Sequence, residues 1–391
     1  MPTYPTYKLG DVAEILDSFR KPINSTERAK RIQGKNEIEL YPYYGATGQV
    51  GLIDEYLTDG EYVLVGEDGA PFLDPFKNKS YIIKGKAWVN NHAHIISGKK
   101  GVSCNQYLNY FLNSFDYKDY VNGTTRLKLT QGNLVEIPIP LPPLPTQHQI
   151  VSRIESLFAE LDKAEAHLRT AQQQLKTYRQ AVLKSAFEEC TNFEKIINYF
   201  DVTGGLTKNS QREKFPIKMP YLRVANVYFN RLDLSEIKEI GIQESEVKEK
   251  LLKKGDLLFV EGNGSKEQIG RVAIWDGSVE NCLHQNHIIK GRPRGQVSSK
   301  YALYYLISDL GREQIVEVAS STSGLYTLST DKVRNLKIPY IPLSEQQRIA
   351  EEIESRLSQA EAAEARIAES LQKTEALRQS ILKKAFSGEL V

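Results

Sequence analysis

Hydrophobic and polar positions follow two different rhythms along this chain. From residue 150 to 187, and again from 349 to 386, apolar residues recur at helical spacing, and neither stretch contains Pro or Gly. In the first stretch Ile154, Leu161, Leu168, Leu175 and Val182 return at heptad spacing, with Leu157, Ala164, Ala171 and Tyr178 interleaved. That is the a/d pattern of a helix seated against another helix. The second stretch carries Ile353, Ala360, Ile367 and Ile381 on one row and Ala363 and Leu377 on the other, interrupted by Arg356 and Thr374. The predicted seam is Ile154, Leu157, Leu161, Leu168, Leu175 and Val182 against Ile353, Ile367, Leu377 and Ile381. Each helix of about 40 residues would reach roughly 60 Å at 1.5 Å per residue. Pro-rich lead-ins precede both, and Thr146/Gln149 and Ser344/Gln347 fit capping boxes at their starts.

The rest of the chain alternates short β-branched and aromatic runs with Gly, Asn and Asp turns. Tyr62–Val65, Tyr81–Ile83, Leu257–Val260 and Gly270–Trp275 read as strands, and 107–114 and 301–308 as short helices. The two halves keep these elements in the same order.

The two long stretches are copies of one another. Residues 150–187 match 349–386 at a constant offset of 199 without a gap, so Arg179 falls on Arg378, Leu183 on Leu382 and Phe187 on Phe386. Upstream the likeness weakens. Gly60–Val65 resembles Gly255–Val260, Asn91–Ile96 resembles Leu283–Ile289, and Tyr107–Leu112 resembles Tyr301–Leu306. Close helices beside diverged domains imply one scaffold carrying two different readers. The expected architecture is two mixed α/β (α+β) recognition domains, 1–144 and 191–343. Two long helices, 145–190 and 344–391, separate them and pack as an antiparallel coiled coil with pseudo-twofold symmetry. A long helix needs a packed partner, and the other copy in the same chain is the nearest. A homodimeric coiled coil would leave the duplication unexplained.

Charge gives no nucleic-acid footprint on its own. The net formal charge is +2. Residues 1–144 carry 16 basic and 16 acidic residues, and 191–343 carry 22 and 18. A DNA-binding reading must therefore come from pattern. Cys104, Cys190 and Cys282 form no framework, no apolar run approaches a membrane span, and the N-terminus lacks a signal-peptide pattern, so a cytoplasmic location and no membrane partner are expected.

Several local signatures agree on a family. Ile338–Ile349 (IPYIPLSEQQRI), its variant at Ile137–Ile150, Pro220–Asn226 (PYLRVAN), Pro42–Gly48 (PYYGATG) and Ala385–Leu390 (AFSGEL) resemble the specificity subunits of type I restriction-modification systems, along essentially the whole chain. The resemblance implies a non-catalytic reader of double-stranded DNA. Each target recognition domain would read half of a split sequence, and the helix pair would set the spacer. It further implies two modification (methyltransferase) subunits as partners, with restriction (translocase-nuclease) subunits in the full complex. This chain would need no cofactor or metal, while the partners would use S-adenosylmethionine, ATP and Mg. In keeping with that, the chain has no Asn/Asp-Pro-Pro-Tyr/Phe tetrapeptide, since Leu141–Leu144 reads LPPL, and no phosphate-loop motif. The E-x-K pairs at Glu236/Lys238 and Glu246/Lys248 read as charged surface, and His92/His94 and His284/His287 lack zinc spacing. The alternatives are a fragment of a fused restriction-methyltransferase and a structural coiled-coil protein.

Base edges call for donors and acceptors, and phosphates for cations and amides. In the first domain the candidate DNA contacts are Arg20, Lys21, Tyr43, Tyr44, Thr47, Asn91, His92, Thr124, Thr125, Arg126 and Lys128. In the second they are Arg223, Asn226, Lys266, Gln268, Arg271, His284, Gln285, Ser321, Thr322, Ser323 and Tyr326.

Overall fold

The computed structural model describes residues 4–322 and 324–391, with Ser320–Thr322 described as backbone only. Ser323 lies outside the described residues, and the side chains of Ser321 and Thr322 are likewise not described. The chain divides into two compact units, residues 1–169 with 367–391, and residues 170–366. Each unit therefore contains one recognition domain, one end of the helix Leu144–Phe187 and the opposite end of the helix Leu343–Ser387.

The first unit holds a six-stranded sheet in the order Ala13–Ile15, Ala93–Gly98, Thr58–Gly66, Ser80–Val89, Tyr41–Gly45, Gly48–Ile53. Its central strands are Val- and Ile-rich and buried on both faces, as strands covered on each side are. One face packs on the helix Asn105–Ser114, whose Tyr107, Leu108, Phe111 and Leu112 point inward. Below it lie Ile150, Val151 and Ile154 from the start of the first long helix, and Leu382, Ala385 and Phe386 from the end of the second. Start meets end, so the two helices run antiparallel here.

The second unit repeats the plan with its roles exchanged. A four-stranded sheet runs Phe200–Gly204, Ile288–Pro293, Leu257–Val260, Val272–Ile274. A second, three-stranded sheet runs Lys238–Ile242, Ile217–Leu222, Leu283–His284. The helix Ser299–Ile307 packs on Val182, Leu183 and Phe187 from the end of the first long helix, and on Ala350, Ile353 and Leu357 from the start of the second. Tyr301 and Tyr305 meet the Phe187 ring at 5.3 and 5.4 Å, as Tyr107 and Phe111 meet Phe386 at 5.3 and 5.2 Å. Each recognition domain is thus clamped by the end of one long helix and the start of the other.

The helix starts differ from the capping-box expectation. Both begin earlier, at Leu144 and Leu343, so Thr146 and Ser344 fall inside the first turn. The residues that anchor these starts are fully buried glutamines at corresponding positions. Gln147 accepts from Cys104 N at 3.0 Å and donates to Val102 O at 2.8 Å and Pro142 O at 2.9 Å. Gln346 accepts from Ser298 N at 2.9 Å and donates to Ile341 O at 2.8 Å. Each ties a helix start to the loop that precedes the domain's own helix.

The seam also differs. Ile154, Val182 and Ile353 are buried, and Leu157, Leu161, Leu168, Leu175, Ile367 and Ile381 are half-buried. Leu377 is 51% exposed and Tyr178 42% exposed, so neither belongs to it. The inward row passes instead through Leu357, Thr374, Arg179 and Arg378. A straight helix has 3.6 residues per turn and drifts about 20° per heptad against a strict sevenfold repeat. The inward face therefore moves to the following residue. Arg179 bonds Glu364 at 2.9 Å, and Arg378 bonds Asp162 with its guanidinium 5.1 Å from the centre of the Phe158 ring.

Candidate nucleic-acid interface

In the first unit, four connections converge at one end of the sheet. Backbone hydrogen bonds fix their places: Asn90 N to Tyr44 O at 3.1 Å, Lys21 N to Val89 O at 3.1 Å, Glu67 N to His92 O at 2.8 Å and Leu129 N to Glu67 O at 2.7 Å. The turn Ala46–Thr47, the segment Glu67–Ala70, the turn Asn90–His92 and the loop Asn122–Lys128 thereby form one edge. Lys21, Thr47, Asn91, Thr124, Thr125, Arg126 and Lys128 are exposed on it, and Tyr44 and His92 are half-exposed. Acids are interleaved with these cations. Asp68 holds Arg126 at 2.8 Å and His92 at 2.7 Å, and Glu67 holds Lys128 at 3.0 Å. Burial raises the Glu67 pKa, but hydrogen bonds from Arg20 and Lys128 outweigh it and keep the carboxyl below its ordinary range.

Two of the first-domain candidates are structural instead. Tyr43 is 2% exposed, covered by the Arg28 guanidinium at 4.6 Å, and its hydroxyl donates to Ile23 O. Arg20 is locked between Asp17 at 2.9 Å and Glu67, with Ala93 O at 3.2 Å. Beneath them His94 is fully buried, with Asp17 Oδ2 at 2.6 Å and Leu129 O at 2.9 Å. This network supports the edge from behind.

The second unit builds the corresponding edge with other residues. Gln285 N bonds Leu222 O at 2.9 Å, Glu261 N bonds His287 O at 2.9 Å and Leu328 N bonds Glu261 O at 2.7 Å. The strand Leu325–Thr327 pairs with Gly262–Asn263, placing Tyr326 beside Asn263, and with Ser320–Thr322. Lys266 and Gln268 are exposed, Gln285 and Tyr326 half-exposed. Arg223 is half-buried and holds Glu236 at 2.9 Å. Arg271 turns away toward the hairpin at 224–231, over the Tyr228 ring at 5.2 Å and bonded to Val224 O.

Asn226 and His284 are corrected by burial. Asn226 is 3% exposed, accepts from Arg223 N and donates to the carbonyls of Asp233 and Glu236, so it shapes a turn. For His284 the strand register gives the reason. Tyr43 and Tyr44 pair with Trp88 and Val89, and Tyr221 and Leu222 pair with Leu283 and His284. His284 thus occupies the core position that Val89 fills in the first unit. Burial, then the charge of Lys290, pushes its pKa down to about 3, and Nδ1 donates to Ile288 O at 2.9 Å. The residue that corresponds to His92 is His287, which the sequence analysis weighs only with His284 as a metal pair and not as a DNA contact. Carrying the 195-residue offset of Val65 and Val260 on to His92 finds it.

Among the described residues no group of His, Cys, Asp and Glu could hold a metal, and no helix is long and apolar enough to cross a membrane.

Each of the two diverged domains carries polar loops and cations along one sheet edge and is clamped on the ends of the paired helices. The family model for the type I restriction modification DNA specificity domain matches residues 1–169 and 193–373, and the chain belongs to that family. It is a specificity subunit, the non-catalytic DNA-recognition component of a type I restriction-modification system. The chain is 29% identical over 355 residues to a Haemophilus influenzae protein named as a type I restriction enzyme specificity subunit, spanning 87% of this chain and 84% of that protein. It is 30% identical over 268 residues to the EcoKI specificity subunit of Escherichia coli K12, spanning 65% and 58%. A solved structure concerned with assembly and conformational transition of the type I R-M system shares the fold at a TM-score of 0.71 and 17% identity, over 100% of this chain and 99% of that one. The HsdS subunit of Thermoanaerobacter tengcongensis does so at 0.62 and 17%, over 100% and 98%.

Proposed function

We propose that each sheet edge reads one half of a split DNA target and that the long helices fix the gap between the halves. The observation that supports this most is the exchanged clamp. Each recognition domain is seated on the end of one helix and the start of the other, so a change in helix length acts on both seats. Lys21, Tyr44, Thr47, Asn91, His92, Thr124, Thr125, Arg126 and Lys128 are the DNA-facing set in the first unit. Lys266, Gln268, Gln285 and Tyr326 belong to that set in the second. Two methyltransferase subunits, carrying S-adenosylmethionine, dock on the helices, and restriction subunits using ATP and Mg join the full complex. Tyr178 and Leu377, which the repeat places at corresponding positions and the seam leaves exposed, are anchors for that docking.

The test is an insertion of four residues in both helices, after Arg169 and after Arg366. Each insertion adds about 6 Å, close to two base pairs at roughly 3.4 Å each. Single-molecule sequencing of methylated adenines is expected to return the same half-sites with a longer gap. An unchanged gap, or altered half-sites at the old gap, refutes the ruler.

A further inference from the structure

Both readers place a histidine on the same turn and give it a carboxylate. His92 Nδ1 lies 2.7 Å from Asp68 Oδ1, and His287 Nδ1 lies 2.8 Å from Glu261 Oε2. The turns correspond through the backbone, since Glu67 N bonds His92 O and Glu261 N bonds His287 O. The carboxylates do not correspond. Glu67, the counterpart of Glu261, is occupied by Arg20 and Lys128, and its neighbour Asp68 serves the histidine. The pairing is common to both domains while the residue supplying it differs.

Stability does not explain that recurrence. The histidine side chains are 40% and 55% exposed, and an exposed ion pair is worth about 0–1 kcal/mol. The geometry offers another reason. A carboxylate only accepts, so Nδ1 carries the hydrogen, and Nε2, across the ring, has no hydrogen-bond partner among the described residues.

We propose that His92 and His287 are matched DNA-backbone contacts, each offering Nε2–H to a phosphate oxygen while a carboxylate holds the opposite nitrogen. This rests on the two edges being the DNA-facing ones. Phosphate contacts set register rather than sequence, which suits a device shared by readers of unlike half-sites. The charged groups around His92 are Asp68, Glu67, Arg126 and Lys128, with Arg20 against the adjoining Asn91 carbonyl. Beside His287 it is Glu261.

The experiment measures DNA affinity of the full chain assembled with its methyltransferase subunits. The duplex carries the target found by methylation mapping, and salt is varied. The double variant His92→Ala/His287→Ala is expected to bind at least about tenfold more weakly than the wild type, one hydrogen bond to a charged group being lost at each reader, while the methylated sequence stays the same. Asp68→Ala/Glu261→Ala keeps the rings but frees them to turn, and is expected to weaken binding by a smaller factor. Unchanged affinity in the histidine double variant, or an altered half-site sequence, overturns the proposal. Arg126→Ala and Lys128→Ala separate the two failures. If these also leave affinity and salt slope intact, the first edge itself is off the DNA.

Discussion

Phe386 stands near the end of the chain, yet the core it completes belongs to the N-terminal recognition domain. Its ring is 8% exposed and meets Tyr107 at 5.3 Å and Phe111 at 5.2 Å, both edge-on. Replacing a buried Phe by Ala costs about 3–5 kcal/mol through lost transfer energy and the cavity left behind. Against a domain stability of about 5–15 kcal/mol, that is a large fraction. At roughly 1.4 kcal/mol per tenfold change, Phe386→Ala should speed amide exchange by opening of the first unit by about a thousandfold. Hydrogen-exchange mass spectrometry should show the loss in peptides covering 105–114 and 144–158. Peptides covering 299–307 should keep their protection, because the ring at that clamp is Phe187. Phe187→Ala should give the mirror image. Equal loss in both regions from either variant would show that the clamps do not act as separate cores, and the exchanged seating described above would be refuted.

Gln147→Leu should cost about 2–4 kcal/mol, since it strands the Cys104 N–H and two carbonyls without partners. Gln346→Leu, with two bonds lost, should cost less; urea denaturation of the two variants decides the order, and equal or negligible losses would remove the anchor role. His284→Val installs the residue found at the corresponding core position. The folded-state pKa near 3 lies below the usual 6.5, so an unfolded chain takes up a proton that the native one refuses. Stability is therefore lost as pH falls from 6.5 toward 3, at up to about 1.4 kcal/mol per unit. The variant should gain on the wild type by about 2–3 kcal/mol between pH 6.5 and 4.5, and a constant difference across that range would refute the buried neutral imidazole.

The scaffold was legible because burial constrains its spelling. The offset of 199, the apolar rows and the pairs Phe187/Phe386 and Leu183/Leu382 all announce helices that bury one face against the same kind of surface twice. What misled was arithmetic. A heptad template extended over a helix of 44 residues accumulates drift, and it assigned Tyr178 and Leu377 inward when Arg179 and Arg378 are the residues that turn in. The buried glutamines are not legible in the sequence, for a related reason. Next to Thr146 and Ser344, a capping motif was the more familiar pattern, and nothing in local sequence says that Gln147 has no water around it.

The recognition edges were only half legible, because their physics is not periodic. Polar residues in a strand-to-turn segment face outward or inward according to register, and a shift by one residue reverses the side. His284 and His287 differ by that kind of choice. Pairing of Leu222 with His284 makes His284 a core residue and leaves His287 at the tip. The same applies to Asn226, whose amide satisfies the backbone of its own turn, and to Arg20, which two carboxylates hold in place. Residues that sustain an edge and residues that would touch DNA draw on one vocabulary of Arg, Asn and His. What separates them is burial and whether neighbours already hold them, and the fold decides both: Glu67 holds Arg20, the carbonyls of Asp233 and Glu236 hold Asn226, and Ile288 O holds His284 in the core.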